Sequence, residues 1–127
     1  MAKNREHPSG SPLDLNVSAV NGSGVGDLVK SGDPGAVGVL PFVALTDEDT
    51  NGIASCDSEG VYRLAVFAHD GTANAAVAAG DRIVWDNTGG TLEKTPGSAN
   101  SVGFGVALDP VSGGATTTIR VRLQPGI

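Results

Sequence analysis

Apolar and polar positions alternate along this chain in short runs, mostly with the period of two that belongs to β-strands. Leu13, Leu15, Val17 and Ala19 alternate with Asp14, Asn16 and Ser18, which predicts a half-buried strand broken by Asn21-Gly22-Ser23-Gly24. Leu28-Val29 predicts a second, short strand, ended by the turn Ser31-Gly32-Asp33-Pro34-Gly35. The apolar run from Ala36 to Ala44 predicts a third. Pro41 removes a backbone donor within it and requires an edge or a bulge there. Ile53 to Cys56 predicts another short strand after a polar loop. Val61 to Ala68 puts Tyr62, Leu64, Val66 and Ala68 on one face and Arg63 on the other. In the strand 81–86, Ile83 and Trp85 share a core face, with Asp81 and Asp86 as bracketing turn residues. Asn87-Thr88-Gly89-Gly90 then predicts a hairpin into Thr91 to Lys94. Val102, Phe104, Val106 and Leu108 face one way, and Gly103, Gly105 and Ala107 the other, leaving a flat face that another backbone or subunit can approach. Thr116 to Leu123 points Ile119, Val121 and Leu123 inward and Arg120 and Arg122 outward.

Only Ala73 to Ala79 has helical composition, and a segment so short holds one turn at most without packing. Eight or nine short strands with frequent turns predict an all-β fold, a small β-sandwich or β-barrel. Residues 1–12 carry charges, prolines and no apolar period, and are expected to form an extended, mobile N-terminal arm. Residues 13–127 are then a single β domain, since 127 residues suit one core.

Composition adds that this core is modest. Aromatic residues make up only 4% of the chain, so Val, Leu, Ile and Ala must fill the interior, and oligomerisation is a means of burying more surface. The net charge of −6 argues against nucleic acid as a partner, because phosphate binding needs a concentrated positive field. The arm is slightly basic through Lys3 and Arg5 against Glu6, so the acidity lies in the body. The single cysteine, Cys56, excludes an intrachain disulfide. No stretch has the length of a membrane span, and Met1 to Pro8 lacks the apolar region of a signal peptide, so synthesis in the cytoplasm without membrane association is expected.

The candidate chemistry is thin. Asp47, Asp49, Asn51 and Gly52 match the first half of a calcium loop. The closing carboxylate should stand at Ser58, however, and Glu59 comes one residue late, so a solvated acidic turn is expected. Cys56, His7 and His69 lack the close spacing of zinc ligands. His69-Asp70 suggests a fragment of a hydrolase triad, but neighbours on a strand point to opposite faces and no Gly-x-Ser-x-Gly elbow is present. Gly22, Gly24 and Gly26 lack the following Lys-Ser/Thr of a phosphate loop. No catalytic, metal or cofactor residues are assigned, which argues against an enzyme.

Several segments, taken in order, resemble the capsid decoration, or cement, proteins of tailed bacteriophages. They are Gly26-Asp27-Leu28-Val29, the stretch Gly38 to Asp47, Glu59 to Leu64, Ala79 to Asp86, Gly103 to Leu108 and Thr117 to Leu123. The resemblance implies a β-rich domain on the outer surface of the head, commonly a homotrimer at threefold positions, that braces the expanded shell. It implies the major capsid protein and other copies of the chain as partners, and no catalytic residues. Within this reading Lys3, Asn4, Arg5, His7 and Pro8 of the arm are candidate capsid contacts. Gly103, Gly105, Arg120 and Arg122 are candidate subunit-interface residues. The alternative is a carbohydrate-binding or adhesion β-sandwich module, which would require exposed aromatic side chains.

Overall fold

The computed structural model describes residues 13–22, 26–97 and 101–124. Among these the chain forms β-strands and no helix: β1 Leu13–Asn16, β2 Pro34–Val37, β3 Leu40–Ala44, β4 Ile53–Asp57, β5 Gly60–Phe67, β6 Arg82–Asp86, β7 Thr91–Lys94, β8 Val102–Ala107 and β9 Thr116–Leu123. The first four make a sheet in the order β1-β4-β3-β2, and the other five close into a barrel in the order β5-β7-β6-β8-β9. Every pairing is antiparallel except β5 with β7, where Val66 lies beside Leu92 and Phe67 beside Glu93. That short parallel contact closes the barrel. Its longest seam joins β5 to β9 over all eight residues of each, from Gly60 opposite Leu123 to Phe67 opposite Thr116.

One hydrophobic cluster spans both sheets, joining Phe42, Val43 and Cys56 of the open sheet to Ile83, Trp85 and Phe104 of the barrel. β2 and β3 pack against β6 and β8. The residues Ile83 to Asp86 are therefore all buried, covered from the barrel interior on one face and by the open sheet on the other. The alternation expected in β9 is present, with Ile119, Val121 and Leu123 buried and Arg120 and Arg122 exposed. In β5, Leu64 and Val66 are buried, Tyr62 is half-buried and Arg63 is exposed.

Four expectations are corrected. The run Ala36 to Ala44 is two strands, because Gly38 takes a φ of +60° and turns the chain between Val37 and Leu40. Positive φ at the first turn residue alone is the pattern of a type II′ hairpin. Pro41 falls one pair beyond the hydrogen-bonded pair that closes this turn, so its nitrogen points away from β2. On its other side β4 pairs only with Val43 and Ala44, and the missing N–H leaves no ladder bond unmade.

The first strand stops at Asn16, whose side chain accepts from the Ser18 amide at 3.1 Å and hydroxyl at 2.7 Å, while the Val17 amide turns to the Gly52 carbonyl. Leu28 and Val29 form no strand. Val29 is pinned in a loop by reciprocal bonds with Glu48, and its side chain is buried while that of Leu28 is exposed. Ala73 to Ala79 forms no helical turn, because its amides bond elsewhere: Ala75 to the Ala68 carbonyl and Val77 to the Val111 carbonyl. Only Val77 in this segment is buried, too little apolar surface to hold a short helix.

Candidate functional site: the outer face of β5, β8 and β9

β8 contains a bulge. Ile83 lies opposite Gly105 and Val84 opposite Gly103, so Phe104 is an extra residue without a partner on β6. The bulge breaks the simple alternation: Phe104, Gly105 and Ala107 are all buried, and Val102, Gly103 and Val106 are half-buried. Gly105 therefore faces its own chain. A Cβ on it would lie 2.0 Å from the Arg122 carbonyl oxygen and 3.2 Å from the Leu123 Cα. The close approach that this glycine permits is that of β9.

The β5–β9 register builds the outer face. Val61 stands opposite Arg122, Arg63 opposite Arg120 and Ala65 opposite Thr118, all of them exposed. Val106 of β8 continues the first row from Arg122. Asp109 grips Arg120 through both carboxylate oxygens, at 3.0 Å to Nε and 2.8 Å to Nη2, and also accepts from the Arg120 amide at 3.0 Å. These bonds pull the Asp109 carboxyl down to about 2, with Arg63 adding a weaker attraction. Among the described residues, neither Arg63 nor Arg122 has a carboxylate within ion-pair distance. Sequence reading found Arg120 and Arg122 but did not join Arg63 to them, since that requires knowing which strand lies beside β5. Asp109 was likewise missed, because nothing local couples it to Arg120.

The other candidates resolve into structural work. The Asp49 side chain accepts from the amides of Asn51 at 2.8 Å and Ile53 at 2.9 Å, and Asp47 accepts from Ser31 at 2.8 Å, so the acidic loop is tied to backbone donors. His69 stacks on Phe67 with ring centres 5.0 Å apart, and its Nδ1 accepts from the Gly71 amide. The amides of Ala73 and Thr72 hold the Asp70 carboxyl below the usual carboxylate range. Burial, with Asp14 adding to it, pushes the Cys56 thiol up to about 11. Tyr62 rises to about 12 through burial and the hydrogen bond that its hydroxyl donates to Asp57. Asp81 and Asp86 cap turns as expected, accepting from the amides of Ala78 and Thr88.

Phe42, Phe104 and Trp85 are buried, and Tyr62 and Phe67 half-buried, so no aromatic side chain is fully exposed. A cleft of about 350 Å³ opens between β5 and the β6–β7 hairpin. Trp85, Leu92 and Phe67 line its apolar part, and Asp33, Arg63 and threonines its polar part. The proposed arm contacts Lys3, Asn4, Arg5, His7 and Pro8 lie outside the described residues. Among the described residues, no helix is long and apolar enough to cross a membrane.

Neither a search of curated proteins nor one of solved structures found a match to the chain. The sequence profile of the phage cement proteins, in contrast, matches residues 13–123, which takes in all nine strands and the arginine face. By that match over most of its length, the chain belongs to the phage cement protein family.

Proposed function

We propose that this protein decorates the outer surface of the mature, expanded phage head, binds the major capsid protein there as a homotrimer, and stabilises the shell. The observation that carries this reading is the family match across 13–123. The mechanism is linkage. A protein that binds the expanded shell and not its precursor lowers the free energy of the expanded state by occupancy, and many symmetry-related sites make modest contacts sufficient.

In this reading the chain is made in the host cytoplasm and joins the head from outside. Lys3, Asn4, Arg5, His7 and Pro8 contact the shell, their basic character set against an acidic body. Subunits meet through surfaces that include Arg120 and Arg122, which the fold leaves exposed, and the half-buried Gly103 of β8. The buried and half-buried aromatics give no support to the carbohydrate-binding alternative.

The test is to mix the purified protein with undecorated expanded heads and with unexpanded heads, then measure co-sedimentation and head survival on heating. Binding to expanded heads alone, with heads that survive higher temperature, is expected. Binding to neither form overturns the proposal. Deletion of residues 1–12 should weaken binding to heads while leaving the melting temperature of the free protein unchanged.

A further inference from the structure

We infer that the arginine face of β5 and β9 docks the acidic half of a second copy of this chain. The inference deepens the self-association in the proposed function and rests on that part alone, not on capsid binding.

Three observations carry it. First, charge is segregated along the fold. Residues 13–59, which hold the open sheet and its loops, contain eight carboxylates and one cation, Lys30, whereas residues 60–124 contain equal numbers of the two. In the second half two carboxylates, Asp86 and Glu93, are buried, so the barrel surface has an excess of cations. Second, these cations are concentrated. Arg63 and Arg120 sit directly opposite across the β5–β9 ladder and Arg122 is two residues further along the same face. Like charges directly opposite in an antiparallel pair destabilise it, and one carboxylate, Asp109, chelates Arg120 and attracts Arg63 only weakly. Among the described residues the fold therefore leaves Arg63 and Arg122 without a carboxylate at ion-pair distance. Third, the charges are interleaved with apolar side chains: Arg122 lies between Val61, 51% exposed, and the half-buried Val106, and Arg63 lies between Val61 and Ala65 along β5. Guanidinium groups interleaved with apolar side chains have the composition of a protein interface, where arginine is enriched.

The acidic half supplies a matching surface. The loops 27–33 and 45–52 are bonded to each other through Glu48 to Val29, Asp47 to Ser31 and the Ser31 hydroxyl to Leu45, which holds their carboxylates in a fixed array. Asp33 lines the same cleft as Arg63 but forms no ion pair with it. With respect to the described residues, Arg63 and Arg122 thus remain available to carboxylates from another molecule. Made head-to-tail, such a contact between two different surfaces generates rings when the rotation closes.

The experiment uses the full chain. Sedimentation velocity between about 0.05 M and about 0.5 M NaCl, over which the screening length falls from roughly 14 to roughly 4 Å, should show multimers that dissociate as salt rises. Arg63→Glu/Arg122→Glu should weaken self-association by roughly tenfold or more at low salt, with circular dichroism reporting that the variant is folded. Arg63→Lys/Arg122→Lys keeps the charge and adds amines for zero-length carbodiimide coupling. In a mixture of 14N- and 15N-labelled copies it should give intermolecular cross-links to carboxylates within 27–59. Intramolecular cross-links alone, or multimers indifferent to salt and to the Glu substitutions, overturn the inference. So does a Glu variant that still self-associates but no longer binds heads, since the face would then belong to the shell. A monomer that binds expanded heads also overturns it and leaves the decoration reading standing. Salt-sensitive multimers that bind no head support it and overturn decoration.

Discussion

Replacing Gly105 by alanine should be among the most damaging single-methyl additions available in this protein. The added Cβ would sit 2.0 Å from the Arg122 carbonyl oxygen, 2.9 Å from its carbonyl carbon and 3.2 Å from the Leu123 Cα. All three are backbone atoms, so no side chain can rotate out of the way, and β8 must move from β9 by more than an ångström. The β8–β9 pairing consists of only three register pairs, Gly105 with Leu123, Val106 with Arg122 and Ala107 with Val121, and the insult falls on the first. Overpacking in cores costs about 1–3 kcal/mol, and an immovable neighbour puts this site at the top of that range, about 3 kcal/mol. For a domain of this length, with roughly 2 cal/mol/K per residue of unfolding entropy, that corresponds to a fall in melting temperature of about 10 °C. Differential scanning calorimetry of the dilute protein and of the concentrated protein measures it. An equal fall at both concentrations is expected, because the clash is within one chain. A melting temperature within about 2 °C of the wild type would refute the packing argument, and a fall confined to the concentrated sample would move Gly105 to a subunit interface.

Asp109→Asn removes the carboxylate that chelates Arg120. Because the folded pKa of Asp109 is about 2 against the ordinary aspartate value of 3.8, the aspartate's contribution is complete above pH 4 and disappears as pH falls through 2. Urea midpoints of wild type and variant should therefore differ at pH 6 and converge near pH 2; a gap independent of pH refutes the assignment. Cys56, buried and with its thiol raised to about 11, should react with an aromatic disulfide reagent at pH 8 only as fast as the protein unfolds. Stoichiometric labelling of the native protein within seconds would place the thiol at the surface instead. Trp85, the single tryptophan, is 1% exposed, so its fluorescence should be blue-shifted and resist iodide quenching, with both properties lost in urea. Emission already red-shifted in native buffer would contradict the core that joins the two sheets.

Period-two alternation located β5 and β9 because strand faces are set by local backbone geometry, and Ile119, Val121 and Leu123 point inward whichever strand lies beside them. Glycine and aspartate located the turns for the same reason. Asp86 accepts from Thr88 and Gly90 takes positive φ irrespective of the distant chain. The hairpin at Gly38 escaped because its flanks are apolar, so hydropathy shows one continuous run where the backbone reverses. The bulge at Phe104 escaped too: an extra residue is defined only against the partner strand, and it moved Gly105 from an outward flat face to an intrachain contact.

The sequence by itself determined that this is an all-β chain of short strands with an acidic body, a thin aromatic core and exposed arginines at 120 and 122, since each of these follows from composition or from neighbours a few residues away. Tertiary structure alone decided that β5 pairs with β9, that a parallel contact between β5 and β7 closes the barrel, and that Arg63 completes the arginine face beside Asp109. Those facts depend on which strands bury each other's apolar faces at long separation, and that choice is made by the packing of the whole core rather than by any local stretch of the chain.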